Sequence, residues 1–343
     1  MKNRTGLLSV LLLLACDRDV DTGAGYRLMA DAPTEPISAL DVLFVVDNSG
    51  AMAEEQAALA AGASRFIDAL DETVGHRLDL HIGVTSTNVG TGPSGGGGNS
   101  CAGDGDDGRL LVRDACPALD RPYLIDLADP EDPDGPRTIN YPEGQLAETL
   151  ACMTSLGTDG CGFEQQLEAM RRALDRSNGE FLRRQAMLLV VLVTDEDDCS
   201  AFDRAIYDPT EDDRDEPLGE LSSYRCFEFG VTCDQPDART VGDRTACTPR
   251  LDSPYLEHPD TYAEFLRDLK GGPGMVMVAA ITGDAAPVSV FDDETKDARG
   301  AVGCRSLSSA RPTESLGCRP GRSPPRAPRS TSAAFLGVDL PAR

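Results

Sequence analysis

The sequence has a single long apolar run, Leu7 to Ala15, and no second one. That run is too short for a permanent spanning helix, which needs about 20 apolar residues. Basic residues are also scarce: 32 Lys and Arg stand against 58 Asp and Glu, for a formal net charge of -26. Such a balance excludes a nucleic-acid-binding surface, which needs clustered cations to displace counterions from phosphates. The 3 histidines (His76, His81 and His258) lie near no cysteine cluster, and no CxxC pair occurs, so a zinc site has little to stand on. There is no GxSxG elbow and no GxxxxGK[ST] loop. The tetraglycine Gly95 to Gly98 follows no strand and opens no helix, which leaves serine-hydrolase and nucleotide readings without support.

What is present begins with a leader. Lys2 and Arg4 form a basic flank, Leu7 to Ala15 the apolar stretch, and the small residue Ala15 precedes Cys16. Leu13-Leu14-Ala15-Cys16 resembles the lipobox of bacterial lipoproteins, which implies a signal peptide over 1–15 and lipidation at Cys16. Residues 16–38 read as a membrane tether. The expected location is a bacterial cell envelope, with a lipid anchor in the outer membrane or at the cell surface. Asp17 keeps inner-membrane retention open. Beyond Cys16 there are ten cysteines: Cys101, Cys116, Cys152, Cys161, Cys199, Cys226, Cys233, Cys247, Cys304 and Cys318. An even number in an exported chain reads as a disulfide framework. Its pairing is open, and short loops such as Cys101–Cys116, Cys152–Cys161 and Cys226–Cys233 are the simplest expectation.

The hydrophobic pattern is that of an α/β domain over residues 39–290. Asp41 to Val46 and Met187 to Thr194 read as strands whose apolar runs, Val42 to Val46 and Met187 to Val193, suit burial on both faces. Leu78 to Thr85 and Met275 to Ile281 read as further strands, with a short one near Tyr123 to Leu127. Helices are expected over Ala51 to Leu70, Glu143 to Leu156, Phe163 to Ser177 and Thr261 to Leu269. Strands alternating with helices imply a mostly parallel, doubly wound sheet with helices on both faces. Insertions at about 88–142 and 199–257 are rich in Gly, Pro and acids. Within the first, Asp104, Asp106 and Asp107 read as a solvated loop held by a disulfide, since an EF-hand spacing would need an acid at Ala115. Residues 291–343 turn Arg/Pro-rich and read as an irregular, partly disordered tail.

Two of the apolar strands end in abrupt acidic turns, Asp47-Asn48-Ser49-Gly50 and Asp195-Glu196-Asp197-Asp198. Open α/β sheets bind ligands just past the carboxyl ends of their strands. The set LFVVDNSGAM, GCGFEQQLEAM, VLVTDEDDCS and MVAAITGD resembles a von Willebrand factor type A domain of the bacterial secreted-lipoprotein kind. The resemblance implies a Rossmann-like fold with a metal-ion-dependent adhesion site. Asp47 and Ser49 match its first two positions, Ala51 stands where a second hydroxyl is usual, and Asp195 matches the later acid. The middle Thr falls to Thr158 in LGTDGCGFEQQ, although counting back from the helix brings Cys161 nearer the usual spacing. The implied cofactor is Mg²⁺ (or Mn²⁺ or Ca²⁺), an ion satisfied by one or two carboxylates plus hydroxyls and water. The implied partner is a protein or surface polymer whose carboxylate completes the metal site. Glu196, Asp197 and Asp198 read as a solvated loop. DNSG is also a good helix cap. The expected role is therefore non-catalytic binding, set against a structural envelope protein with a degenerate, metal-free site. A metal-dependent hydrolase trails both. The haloacid-dehalogenase pattern, for one, needs a second Asp where Ser49 stands.

Overall fold

The computed structural model describes residues 37–93, 96–98, 100–175, 181–270, 273–282, 288–293, 301–306 and 318–319. The leader, Cys16 and the tether up to residue 36 lie outside the described residues. In chain order the elements are β1 (Ala39–Val46), α1 (Ala53–Ala61), α2 (Ala63–Val74), β2 (Asp79–Ser86), β3 (Tyr123–Leu127), β4 (Thr138–Ile139), α3 (Leu146–Thr154), α4 (Gln166–Asp175) and β5 (Met187–Val193). There follow α5 (Tyr224–Gly230), β6 (Val231–Thr232), β7 (Gly242–Arg244), β8 (Thr248–Pro249), α6 (Pro259–Leu269), β9 (Val276–Ile281), β10 (Val288–Asp293), β11 (Ala301–Ser306) and β12 (Cys318–Arg319).

The principal sheet has six strands in the order β4-β3-β2-β1-β5-β9. β2, β1, β5 and β9 run parallel, while β3 and β4 are added antiparallel at one edge, so the sheet is mixed. β1 is central because its residues have no polar face. Leu40, Val42, Phe44 and Val46 pack with Met52, Leu70, Leu150 and Met153, on the side of α2 and α3. Leu43 and Val45, one pleat position along, pack with Ala169, Met170, Leu174 and Leu266 of α4 and α6. Alternation across the pleat thus feeds two cores from one strand, and helices cover both faces. Each such side chain contributes roughly 1.5–3 kcal/mol of burial. Among the described residues no helix is long and apolar enough to cross a membrane.

Several expectations change. The helix expected over Ala51 to Leu70 is two, meeting at Gly62, and the second runs on to Val74, where Gly75 takes the left-handed conformation that closes it. None of the three short disulfide loops forms. The bonds are Cys101–Cys161, Cys116–Cys152, Cys199–Cys226 and Cys233–Cys247. Cross-links over 60, 36, 27 and 14 residues replace neighbour pairing because folding, not spacing, brings the cysteines together. Cys304 and Cys318 stand opposite one another in the β11–β12 register.

The region past 291, read as irregular, carries β11 and β12, which join β10 and β7 in a second sheet. β7 comes from the second insertion, so that insertion is a partner of the chain's later strands rather than a bare loop. The first insertion is also more ordered than its glycines suggest. Asp106 accepts a hydrogen bond from Ser86, Asp107 pairs with Arg172 and Asp104 with Arg204. These partners account for the acids of that loop without a cation.

Candidate functional site

β1 and β5 are parallel neighbours in register, Val46 opposite Val193. From β1 the chain moves to β2 on one side and later returns to β5 on the other, so the crevice at their carboxyl ends is a switch point of the sheet. Both acidic turns open there. The Asp47 amide donates to the Val193 carbonyl at 2.8 Å, and the Asp47 carboxylate accepts from the Thr194 hydroxyl at 2.9 Å. Its other oxygen accepts from the Ser49 amide at 2.7 Å, closing the turn that the sequence DNSG favours. Asp195 follows at once, half-buried at the tip of β5. The structure therefore brings Asp47, Ser49 and the 194–196 tip together.

The segment between α3 and α4 forms the third wall, and glutamines hold it. Gln56 of α1 donates to the carbonyls of Asp47 and Gly157 and accepts from the Gly157 amide. The Gly160 amide donates to the Asn48 carbonyl at 2.7 Å, and a Cβ on Gly160 would lie 2.1 Å from Asn48 Oδ1, so only glycine fits. Gln165 bonds to Thr87 and Gly90, while Gln166 donates to the Thr194 hydroxyl and the Glu196 carbonyl. Thr158 is half-buried in the same loop, yet the residue this scaffold presses into the crevice is Glu164. The Glu164 carbonyl accepts from the Cys199 amide at 2.7 Å.

Glu164 is 0% exposed, as are Asp47 and Thr87, and Ser49 is 2% exposed. Burial pushes the Asp47 carboxyl up to about 6, and the negative charge of Glu196 adds to that shift against the Ser49 amide and Thr194 hydroxyl. Such a shift amounts to ~3 kcal/mol against the ionised form. Glu164 is raised well above the usual carboxylate range by burial first, then by the charges of Glu196 and Asp47. Its carboxyl meets that of Glu196, and both Glu164 oxygens lack a well-formed hydrogen bond. The Ser49 hydroxyl stands beside Asp47, and it and the Thr87 hydroxyl are likewise enclosed without a hydrogen bond of normal geometry. Two acids pressed together in a dry site need a shared proton or a cation between them.

The other end of the sheet shows what a satisfied buried acid looks like here. Asp41 accepts from the Arg183 side chain at 2.8 Å and from Lys270 Nζ at 3.1 Å. Asp126 pairs with Arg77 and Arg137 and accepts from the Tyr141 hydroxyl. Among the described residues no such base faces Asp47 or Glu164.

The DEDD tip is not a solvated loop, because it packs against the start of α4. Asp198 accepts from the Leu167 amide, and Ser200 accepts from the Glu168 amide, so together they cap α4. Burial raises Asp198 to about 6 and, with the charges of Glu196 and Asp198, raises Asp197 to about 7. The donor set around the crevice is hard oxygen, which suits Mg²⁺, Mn²⁺ or Ca²⁺. Among the described residues no group of three or more His, Cys, Asp or Glu side chains is placed to hold a metal ion. A cation here would rest on fewer carboxylates and on the enclosed hydroxyls and water. Sequence reasoning missed Glu164; its only signal was an acid in the first turn of the helix expected over Phe163 to Ser177, a place where acids are ordinary. No protein-family model and no curated protein matches this chain.

Proposed function

We propose that the chain is a lipid-anchored envelope protein with a von Willebrand A-type domain that binds a protein or surface polymer through a divalent cation. The observation that carries this reading is the pair of buried acids, Asp47 and Glu164, with no base facing either among the described residues. Enclosed hydroxyls at Ser49 and Thr87 supply neutral oxygens beside them. The order β3-β2-β1-β5-β9, with its antiparallel edge, supports the domain assignment. The lack, among the described residues, of three or more His, Cys, Asp or Glu side chains placed to hold a metal ion favours a second reading, a structural envelope domain whose crevice is occupied by protons alone.

Titration with MgCl₂ or MnCl₂, against NaCl at matched ionic strength, separates the two readings. Saturating cation raises the melting temperature, since a ligand bound only to the native state stabilises it by mass action, by about 2.7 kcal/mol at a hundredfold excess over Kd. Asp47→Ala abolishes the difference between the salts. Equal responses to both salts in the unaltered protein would leave only the metal-free reading.

A further inference from the structure

We infer that Cys304 and Cys318 form a fifth disulfide, which clasps the end strand of the second sheet. The inference stands apart from the cation reading, since it uses neither the crevice nor its acids. Ten cysteines follow Cys16, and four bonds among the described residues take eight of them. The two that remain are register partners, Cys304 in β11 opposite Cys318 in β12. Neighbouring strands lie about 4.8 Å apart, and register partners share one face of the sheet. That spacing falls between the Cα separations of 4.0 Å at Cys233–Cys247 and 5.6 Å at Cys116–Cys152. No histidine or third cysteine lies near them in the sequence, so a zinc site has no further ligand to draw on.

The ladder that joins β12 to its neighbour needs such a bond. β11 pairs with β10 over six positions, and β10 is seated on α5, where Val290 packs with Tyr224 and Phe227. β12 is only Cys318–Arg319, and its second pair sets Arg319 opposite Arg305. Two parallel pairs make a weak ladder, and like charges directly opposite weaken it further. A covalent link at the other pair offsets both.

Formation is an exchange of disulfides. One thiolate attacks the disulfide of an exchange protein, or of oxidised glutathione in vitro, and the second thiolate then displaces that partner. One S–S bond forms in the chain and one breaks in the oxidant. Two electrons and two protons leave with the reduced partner.

The test is disulfide mapping on the full chain, produced by export and unfolded in N-ethylmaleimide so that free thiols are trapped. Trypsin cuts after Arg305, which puts the two cysteines in separate peptides. The expected product is those two peptides joined, free of maleimide and lost on reduction. Maleimide on either cysteine, or either one joined to another cysteine or to a second chain, overturns the inference. Amide exchange reads the clasp itself: in Cys304→Ser the amides of 318–319 should exchange roughly tenfold faster, as local opening becomes easier. Unchanged exchange there would overturn the clasp, and the map of the unaltered protein decides the bond even where that variant fails to fold.

Discussion

At the scale of single residues, the protein treats buried charge in two ways. Glu164 and Asp47 are acids with no base facing them among the described residues, while Asp41 is saturated with donors. His81 belongs to the saturated end and provides a pH test free of the crevice. Its Nδ1 lies 2.8 Å from the Phe181 carbonyl, an oxygen that only accepts, so Nδ1 carries the proton of a neutral ring. Burial lowers its pKa below the ordinary 6.5, and the nearby Arg183 adds to that against the Phe181 and Asp41 contacts. A group with a depressed folded pKa stabilises the fold above its unfolded pKa, and that stability is lost as pH falls through the unfolded value toward the folded one. The unaltered protein should therefore lose stability below about pH 6.5 more steeply than His81→Gln, which keeps a donor to Phe181 but does not titrate. Melting curves of the two proteins across that range check the slope, and parallel curves would show that His81 contributes nothing.

At the scale of elements, the crevice is the work of one loop and its cross-links. The α3–α4 segment has no strand or helix of its own over the rim, and its position depends on Gln56, Gln165 and Gln166 and on two disulfides. Cys101–Cys161 ties it to the first insertion, and Cys199–Cys226 ties the DEDD tip to α5. Both bonds sit in a small core with Phe163, Ile206 and Tyr207, just behind Glu164. Closing loops of this length removes roughly 3–4 kcal/mol of unfolded-state entropy per bond. Replacing Cys199 and Cys226 together by serine should lower stability by about that amount in calorimetry. The same change should also weaken Mn²⁺ binding by roughly tenfold or more, because a support of the site is lost. Loss of stability with unchanged Mn²⁺ affinity would show that the bond serves the insertion alone.

At the scale of the whole molecule, the sheet separates stability from binding. Its amino-end edge carries matched charges, and its carboxyl-end edge carries mismatched ones. Lys270, at the end of α6, is the keystone of the first: its Nζ donates to Asp41 and to the Ala186 and Arg183 carbonyls, joining β1 to the approach to β5. Lys270→Met should cost roughly 1–3 kcal/mol, because Asp41 keeps Arg183 but loses its second cation, and the Arg183 and Ala186 carbonyls lose a buried donor. The temperature shift produced by Mg²⁺ should survive, since sites far apart with no shared partner behave additively. A denaturant titration with and without MgCl₂ reads both quantities. A Mg²⁺ effect that disappears with Lys270 would mean that the two edges are coupled.

The local pattern of residues was enough to place β1, β5 and β9, whose short apolar runs suit strands buried on both faces, and β2, whose alternation runs on into an apolar end. It was also enough to put Asp47 and the acidic tip after β5 at strand ends, and parallel neighbours must bring such ends to one rim. Tertiary structure alone decided which third group enters the crevice. Thr158 and Glu164 lie in one short loop, and the choice between them turns on distant bonds from Gln56, Thr87, Thr194 and Cys199 that no spacing rule encodes. The disulfide map and the pairing of β7 with β10 were hidden for the same reason. Side-chain periodicity is a property of neighbours along the chain, whereas a contact across 60 residues, as between Cys101 and Cys161, exists only once the chain has folded.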